Sequence, residues 1–264
     1  TSFISVIQDY ISRKRFGKNI PQGRMIALVG DAELDEGNVY ECLQEGWKHD
    51  LRNVWWIIDY NRQSLDGVVH EGLSERLSSV FEAFGWNLVI LKYGKLQKEA
   101  FDEPGGHLLK KWIDDCPNQL YSALIYEGGS TFKKRVLDDI GDQDIVSKLI
   151  NKRTDSEFLD LMANLGGHCV PTLIKAFENI IDDKPTAFIA YTIKGWGTPL
   201  AGHKDNHAGL MTKAQMNSFK SKYGISDGNE WDRFSDEKNN IELDKYIKNL
   251  SFQKAKHRKY QSKK

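Results

Sequence analysis

In the stretch LVGDAELDEGNVYECLQEGWKHDLRNVWWIIDYNRQSLDG, residues 28–67, one hydrophobic run ends on an acid, Asp31, and a second delivers an asparagine, Asn61. Between the runs, residues 36–48 follow helical spacing, so the stretch reads as strand, helix, strand. That unit makes the two strands parallel neighbours. A carboxylate and a carboxamide far apart in the chain then arrive at the same end of two buried strands.

Working outward, the alternation continues. MIALVG (25–30), NVWWIID (53–59), WNLVIL (86–91) and TAFIAYTI (186–193) are continuous in hydrophobicity, as strands are when helices cover both faces. Residues 36–48, 74–84 and 171–182 read as the intervening helices. The expected fold is α/β, an open, doubly wound, mostly parallel sheet with helices on both faces, and its ligands belong beyond the carboxyl ends of the strands. Residues 103–165, broken by DEPGG and EGGS, are expected to form an insertion with its own helices. Position 1 is Thr, and Phe3, Ile4, Ile7 and Ile11 already follow helical spacing, so the sequence reads as a piece of something longer that begins inside a helix. The tail SFQKAKHRKYQSKK, basic and nearly without core residues, reads as a solvated helix end or linker.

Composition narrows the class. The 264 residues carry 37 basic and 37 acidic side chains, so no global field points to nucleic acid or a membrane surface. Cys42, Cys116 and Cys169 lie far apart, which suits buried, reduced thiols of a cytosol better than a disulfide framework. No apolar run reaches the ~20 residues of a membrane span, and no signal peptide opens the sequence. There is no G-x-G-x-x-G after the first strand. GTPLAGHK (197–204) imitates a P-loop for six residues, but His203 takes the place of the lysine. Neither a His-Glu-x-x-His helix nor a Gly-x-Ser-x-Gly elbow occurs.

The pair of strand ends remains. Asp31 follows Gly30, where the missing side chain lets backbone N–H groups approach an anion, and a helix begins shortly after. A magnesium ion wants about six oxygens, typically one or two carboxylates plus phosphate oxygens. Asp31 offers a carboxylate, Asn61 an amide oxygen, and the chain near Gln63 a carbonyl. A strand-end Asp that caps a turn beside a turn-forming Asn is the plain alternative.

GDAELDEG followed by DYNRQSLDG resembles the thiamine diphosphate signature of the transketolase superfamily, usually Gly-Asp-Gly with a downstream Asn. The resemblance continues through STFKKRV (130–136), NLGGHCVPTLIKAF (164–177), AYTIKGWGTPLAGHKDNHAG (190–209) and LMTKAQMNSFKSKYGI (210–225). The insertion and YTIKGWG are similar to the homodimeric, single-chain decarboxylases of pyruvate dehydrogenase complexes. The resemblance implies thiamine diphosphate and Mg2+ as cofactors, with Asp31, Asn61 and the carbonyl of Gln63 as metal ligands. It implies Gly30, Ala32 and Glu33 as diphosphate contacts. Lys194 and residues 203–207 match a mobile active-site loop, in which His207 is the better match for the catalytic histidine and His203 the second. Glu36 matches an acid near the subunit interface. For these three side chains the alternatives of solvated loop histidines and a first-turn helix glutamate stay open.

The sequence also departs from the pattern. Ala32 replaces the second glycine, and Cys169 follows Gly-Gly-His where an acid is usual, so His168 is given no role beyond a turn. The upstream histidine segment and the pyrimidine-binding domain with its activating glutamate have no counterpart. The resemblance therefore implies a cofactor domain over residues 1–230, a linker over 231–264, and a pyrimidine-domain partner or C-terminal region supplied from elsewhere. It further implies a dimer and a lipoyl-bearing acyltransferase partner. Three functions follow: an acyl-transferring 2-oxo acid decarboxylase portion that does not turn over alone, a transketolase-like ketol transferase, or a non-catalytic module.

Overall fold

A computed structural model describes residues 23–64, 67–68, 72–231 and 241–250. The helical spacing at residues 3–11 and the whole basic tail lie outside the described residues. Contacts divide the chain into two units, Thr1–Met211 and Thr212–Lys264.

The first unit is built on a sheet of four parallel strands in the order β1-β2-β6-β5: β1 Met25–Gly30, β2 Val54–Tyr60, β5 Asn87–Leu91 and β6 Thr186–Tyr191. Gly30 is level with Asp59, and Tyr60 with Tyr191, so the carboxyl ends of three strands form one rim. A two-stranded ribbon, β3 Gln63–Ser64 and β4 Gly67–Val68, follows β2 directly.

Helices pack on both sheet faces, although Ile26 and Leu28 of β1 and Ile90 of β5 stay exposed among the described residues. On one face Trp56 and Ile58 share a core with Leu43 of α1 (Gly37–Lys48) and with Leu77 and Phe81 of α2 (Leu73–Ala83). Trp56 meets Phe81 and Trp86 edge-on. The alternate residue Trp55 points to the other face and stacks on Phe177, 5.3 Å between centroids, with Phe188 edge-on beside it. β6 is buried throughout because it is central and covered on both sides.

Between β5 and β6 the chain runs through helices α3 Lys95–Phe101, α4 Gly106–Asp115, α5 Asn118–Glu127, α6 Gly129–Ile140, α7 Asp144–Asn151 and α8 Asp155–Ala163. These helices bury their own apolar faces: Leu109, Phe132, Val136, Ile150, Phe158 and Met162 are fully enclosed. A capping box between Thr154 and Glu157 starts α8, satisfying two backbone donors that the helix leaves open. The packing of α6 on α8 is close enough that a Cβ at Gly129 would lie 1.9 Å from the Asp155 carbonyl. The helix α9, Val170–Glu178, then returns to the sheet with Pro171 in its first turn.

In the second unit, α10 (Lys213–Lys222) opens on a capping box of Thr212 and Gln215. Lys220 pairs with Asp227 and Glu230, and α11 spans Ile241–Asn249.

Candidate functional site

β1 ends at Gly30 and the chain tightens at once into a 3-10 turn, Asp31–Asp35. This turn points the Asp31 carboxyl into the rim, where it is only 3% exposed. Its Oδ1 accepts the N–H of Ala32 at 2.9 Å and its Oδ2 the N–H of Arg62 at 2.7 Å. Arg62 lies just past β2 with φ +65°, in the left-handed region that a long side chain rarely adopts. A turn of that shape ties the ends of β1 and β2 together through one carboxylate.

Burial pushes the Asp31 carboxyl up to about 6; the N–H groups of Arg62 and Ala32 oppose the rise, Asp59 adds to it and Lys194 lowers it. Asp31 makes no ion pair among the described residues. A carboxylate withdrawn from water and held only by N–H dipoles is a place where a cation would be stabilised.

The Asn61 Oδ1 accepts the N–H of Gln63 at 3.0 Å, which closes a small turn. An amide oxygen has a second lone pair, so this bond leaves one for another partner. Gln63 is buried, and its Oε1 has no hydrogen-bond partner among the described residues. At Gly30 an added Cβ would meet nothing nearer than Glu33 Oε1 at 3.8 Å, so no protein atom requires the glycine there. Ala32 is half-buried, Glu33 is exposed, and Glu36 is exposed at the N-cap of α1 without a side-chain cap bond.

The third strand end brings residues that the sequence did not single out. The Arg62 guanidinium is buried between the rings of Tyr121 and Tyr191. It donates to Asn118 Oδ1 and to the Thr192 carbonyl, each at 3.3 Å, and its Nε has no partner among the described residues. The Thr192 hydroxyl donates to Asp59. His168 Nε2 accepts the N–H of Ile193 at 2.8 Å, and its ring stacks on Trp196 with centroids 4.5 Å apart and 15° between planes. Burial lowers His168 to about 4, so the ring is neutral and able to accept. The position of Arg62 beside Asn61 was the one available sign of its involvement. Nothing in spacing or composition pairs residue 168 with residue 193.

The loop that follows folds on itself. The Lys194 carbonyl accepts the N–H of Gly202 at 3.0 Å and Asn206 Nδ2 at 2.8 Å. Gly202, at φ +75°, lies so close to α5 that a Cβ would stand 2.4 Å from the Ser122 carbonyl. The His203 ring meets Tyr126 edge-on at 4.5 Å, and its Nδ1 accepts the N–H of Asp205. His207 is exposed. Gly30, Asp31, Asn61 and Gln63 are thus brought together, Lys194 acts on Asp31 through its charge, and His203 is engaged by the insertion. Among the described residues no cluster of three or more His, Cys, Asp or Glu side chains is disposed to hold a metal. Any ion at the rim would rest on Asp31 together with amide, carbonyl and ligand oxygens.

Residues 8–102 match the family model described as transketolase, thiamine diphosphate binding domain. Its relatives narrow the likeness: the chain is 27% identical over 221 residues to the pyruvate dehydrogenase E1 component of Buchnera aphidicola subsp. Schizaphis graminum, covering 81% of this chain and 24% of that one. The pyruvate dehydrogenase E1 component of Corynebacterium glutamicum is 25% identical over 206 residues, 75% of this chain and 22% of that one. The chain therefore spans about a quarter of the length of the curated relatives it matches. A transketolase from Leishmania mexicana superposes with a TM-score of 0.47 at 17% identity, over 88% of this chain and 24% of that one.

Proposed function

We propose that this chain is the diphosphate-binding portion of a thiamine diphosphate-dependent 2-oxo acid dehydrogenase, decarboxylating pyruvate and passing the acyl group to a lipoyl-bearing acyltransferase. The observation that carries the reading is Asp31, buried at the end of β1, raised to about 6 and making no ion pair among the described residues. The residues present fit a magnesium diphosphate: a buried carboxylate that makes no ion pair among the described residues, an amide oxygen on Asn61 with a lone pair to spare, and a Gly30 where a side chain would reach only Glu33. In this reading Asp31, the Asn61 amide oxygen and the Gln63 carbonyl hold Mg2+, and Gly30, Ala32 and Glu33 face the diphosphate.

Thiamine diphosphate, when bound, supplies the carbanion-stabilising chemistry that loss of carbon dioxide from a 2-oxo acid requires. The residues of the chain anchor, enclose and move protons. Lys194 adds positive charge at the anchor. The loop from Lys194 to Gly209 shields the site from water, and His207, whose ring is exposed, offers a proton-transfer group to substrate. His203 steadies that loop on Tyr126. The aminopyrimidine end is held by a pyrimidine-binding partner or region, in a cytoplasmic dimer with Glu36 near the subunit contact. Alone, the chain holds the anchor and does not turn over.

The test is calorimetric titration of thiamine diphosphate into the assembly with its pyrimidine-binding partner, with and without magnesium. Binding that needs no magnesium, or that survives Asp31→Ala unchanged, overturns the reading. A transketolase-like ketol transfer would use the same anchor, and it is favoured by the match of residues 8–102 to a transketolase domain. Acyl transfer to a lipoyl domain against turnover of sugar phosphates separates the two. Ala32 in the second glycine's place favours a module that binds without turnover, and neither activity in the loaded assembly would select it.

A further inference from the structure

Resting on the proposed function, we propose that His168 is a positioning residue: by accepting the Ile193 N–H and stacking on Trp196 it fixes the root of the loop that carries Lys194, His203 and His207, so that loop movement starts at Gly195.

Two glycines deliver His168 to that place. Gly166 donates to the Lys92 carbonyl at 3.1 Å and Gly167 to the Tyr191 carbonyl at 2.9 Å, so the turn is bound to the ends of β5 and β6. A Cβ at Gly166 would lie 2.3 Å from the Leu91 carbonyl, and one at Gly167 would lie 2.6 Å from Thr192 Cγ2. Only a chain without side chains at both positions lies this close to the strands. His168 follows immediately, and its own N–H closes the turn onto Leu165 at 3.0 Å.

The root of the loop is then held from two sides. From β2, the Tyr60 carbonyl accepts the N–H of Thr192 at 3.1 Å, Asp59 accepts its hydroxyl, and Arg62 donates to its carbonyl. From the opposite turn, His168 takes the next N–H, that of Ile193, and covers the Trp196 ring. Beyond this pair the backbone changes character: Gly195, Gly197 and Gly202 all have positive φ, and the bonds of Thr198 to Gly195 and of Gly202 and Asn206 to the Lys194 carbonyl run within the loop. Residues 192 and 193 thus belong to the rigid rim, while Gly195 is the first position free to turn.

The neutral ring is suited to the task because its Nε2 must accept. A phenylalanine at 168 would preserve a flat face for Trp196 and remove the acceptor. A glutamine would restore an acceptor and remove the ring. Replacement of Trp196 would leave the acceptor and remove the stack.

The experiment is amide hydrogen exchange on the 264-residue chain without ligand. Loss of one hydrogen bond, worth about 1 kcal/mol net, corresponds to roughly fivefold faster exchange, so His168→Phe should speed exchange at Ile193 by about that factor. His168→Gln should return Ile193 toward the wild-type rate, and Trp196→Leu should speed residues 195–198 while Ile193 stays protected. Amides of Ile58 and Ile189, deep in the sheet, should not change. An unchanged Ile193 in His168→Phe, no rescue by glutamine, or equal acceleration at Ile58 and Ile189 would overturn the positioning role. A separate titration of the assembly with its pyrimidine-binding partner, using magnesium and thiamine diphosphate, tests the proposed function. If the ligands leave residues 195–209 unprotected while the His168 series behaves as stated, the cofactor reading fails and the positioning role stands.

Discussion

The rim formed by Asp31, Asn61 and Gln63 and the loop from Lys194 to Gly209 are two halves of one proposed site, built in opposite ways. The rim is held by backbone. Asp31 receives two N–H groups and Asn61 one, all from residues adjacent to the strand ends. The loop is held by distant side chains and by close approach: His168 at its root, Tyr126 and the Ser122 carbonyl at its tip. A site held by backbone is fixed once the strands pair. One held by side chains from elsewhere can be released piece by piece, which suits an anchor on one hand and a movable cover on the other.

The sharpest way to break this contrast is at the anchor. Asp31→Ala removes the one carboxylate that is buried at the rim among the described residues, and binding of thiamine diphosphate with magnesium to the complete assembly should weaken by about 100-fold or more. Calorimetry measures it directly, and an unchanged affinity would mean that the rim is structural only. The next effect is on turnover rather than binding. His207→Ala should lower kcat/KM by roughly 10²–10⁴-fold, as loss of a proton-transfer group does, with cofactor affinity little changed. Steady-state kinetics of the assembly decide, and full activity would remove His207 from the catalytic list.

A smaller effect belongs to the loop's tip. The ring of His203 is occupied by Tyr126, so His203→Ala should cost less than about tenfold in turnover, and Tyr126→Ala should produce much the same loss. Kinetics of the two single variants and the double variant test this. Additive losses would show that the two rings act separately and that the insertion does not steady the loop.

The same contrast explains what could be read beforehand. Continuous apolar runs ending in Asp31 and near Asn61 placed both residues at strand ends, because parallel pairing leaves little choice of where such residues fall. All four expected strands pair in one parallel sheet. The left-handed turn at Arg62 was hidden, because a long side chain carries no signal for positive φ. His168 was read as a turn residue, and its bond to Ile193 depends on the closeness of Gly166 and Gly167 to Leu91 and Tyr191. That closeness is a product of the finished sheet. The loop was read only as matching a mobile active-site loop, whereas Gly202 brings it against the Ser122 carbonyl of α5.

The smallest expected effect is on folding, and it sets the two halves apart by charge. The Asp31 carboxyl titrates at about 6 in the folded chain against an ordinary value of 3.8. A folded-state value raised above the unfolded one means that this group's contribution is fully present below pH 3.8 and is lost as the pH climbs through about 6. A gap of about 2 pH units corresponds to at most about 3 kcal/mol. Asp31→Asn has no charge to bury; it keeps one acceptor of two, which is a cost independent of pH. The melting temperature of the variant relative to wild type should therefore rise between pH 4 and about pH 7 and level off above. Magnesium with thiamine diphosphate, by placing a cation against the ionised carboxylate, should reduce that difference at neutral pH for the assembly. Thermal melts across this range decide the point: a difference that stays flat with pH would show that the buried acid is already compensated in the folded chain, and the case for a cation at the rim would lose its electrostatic basis.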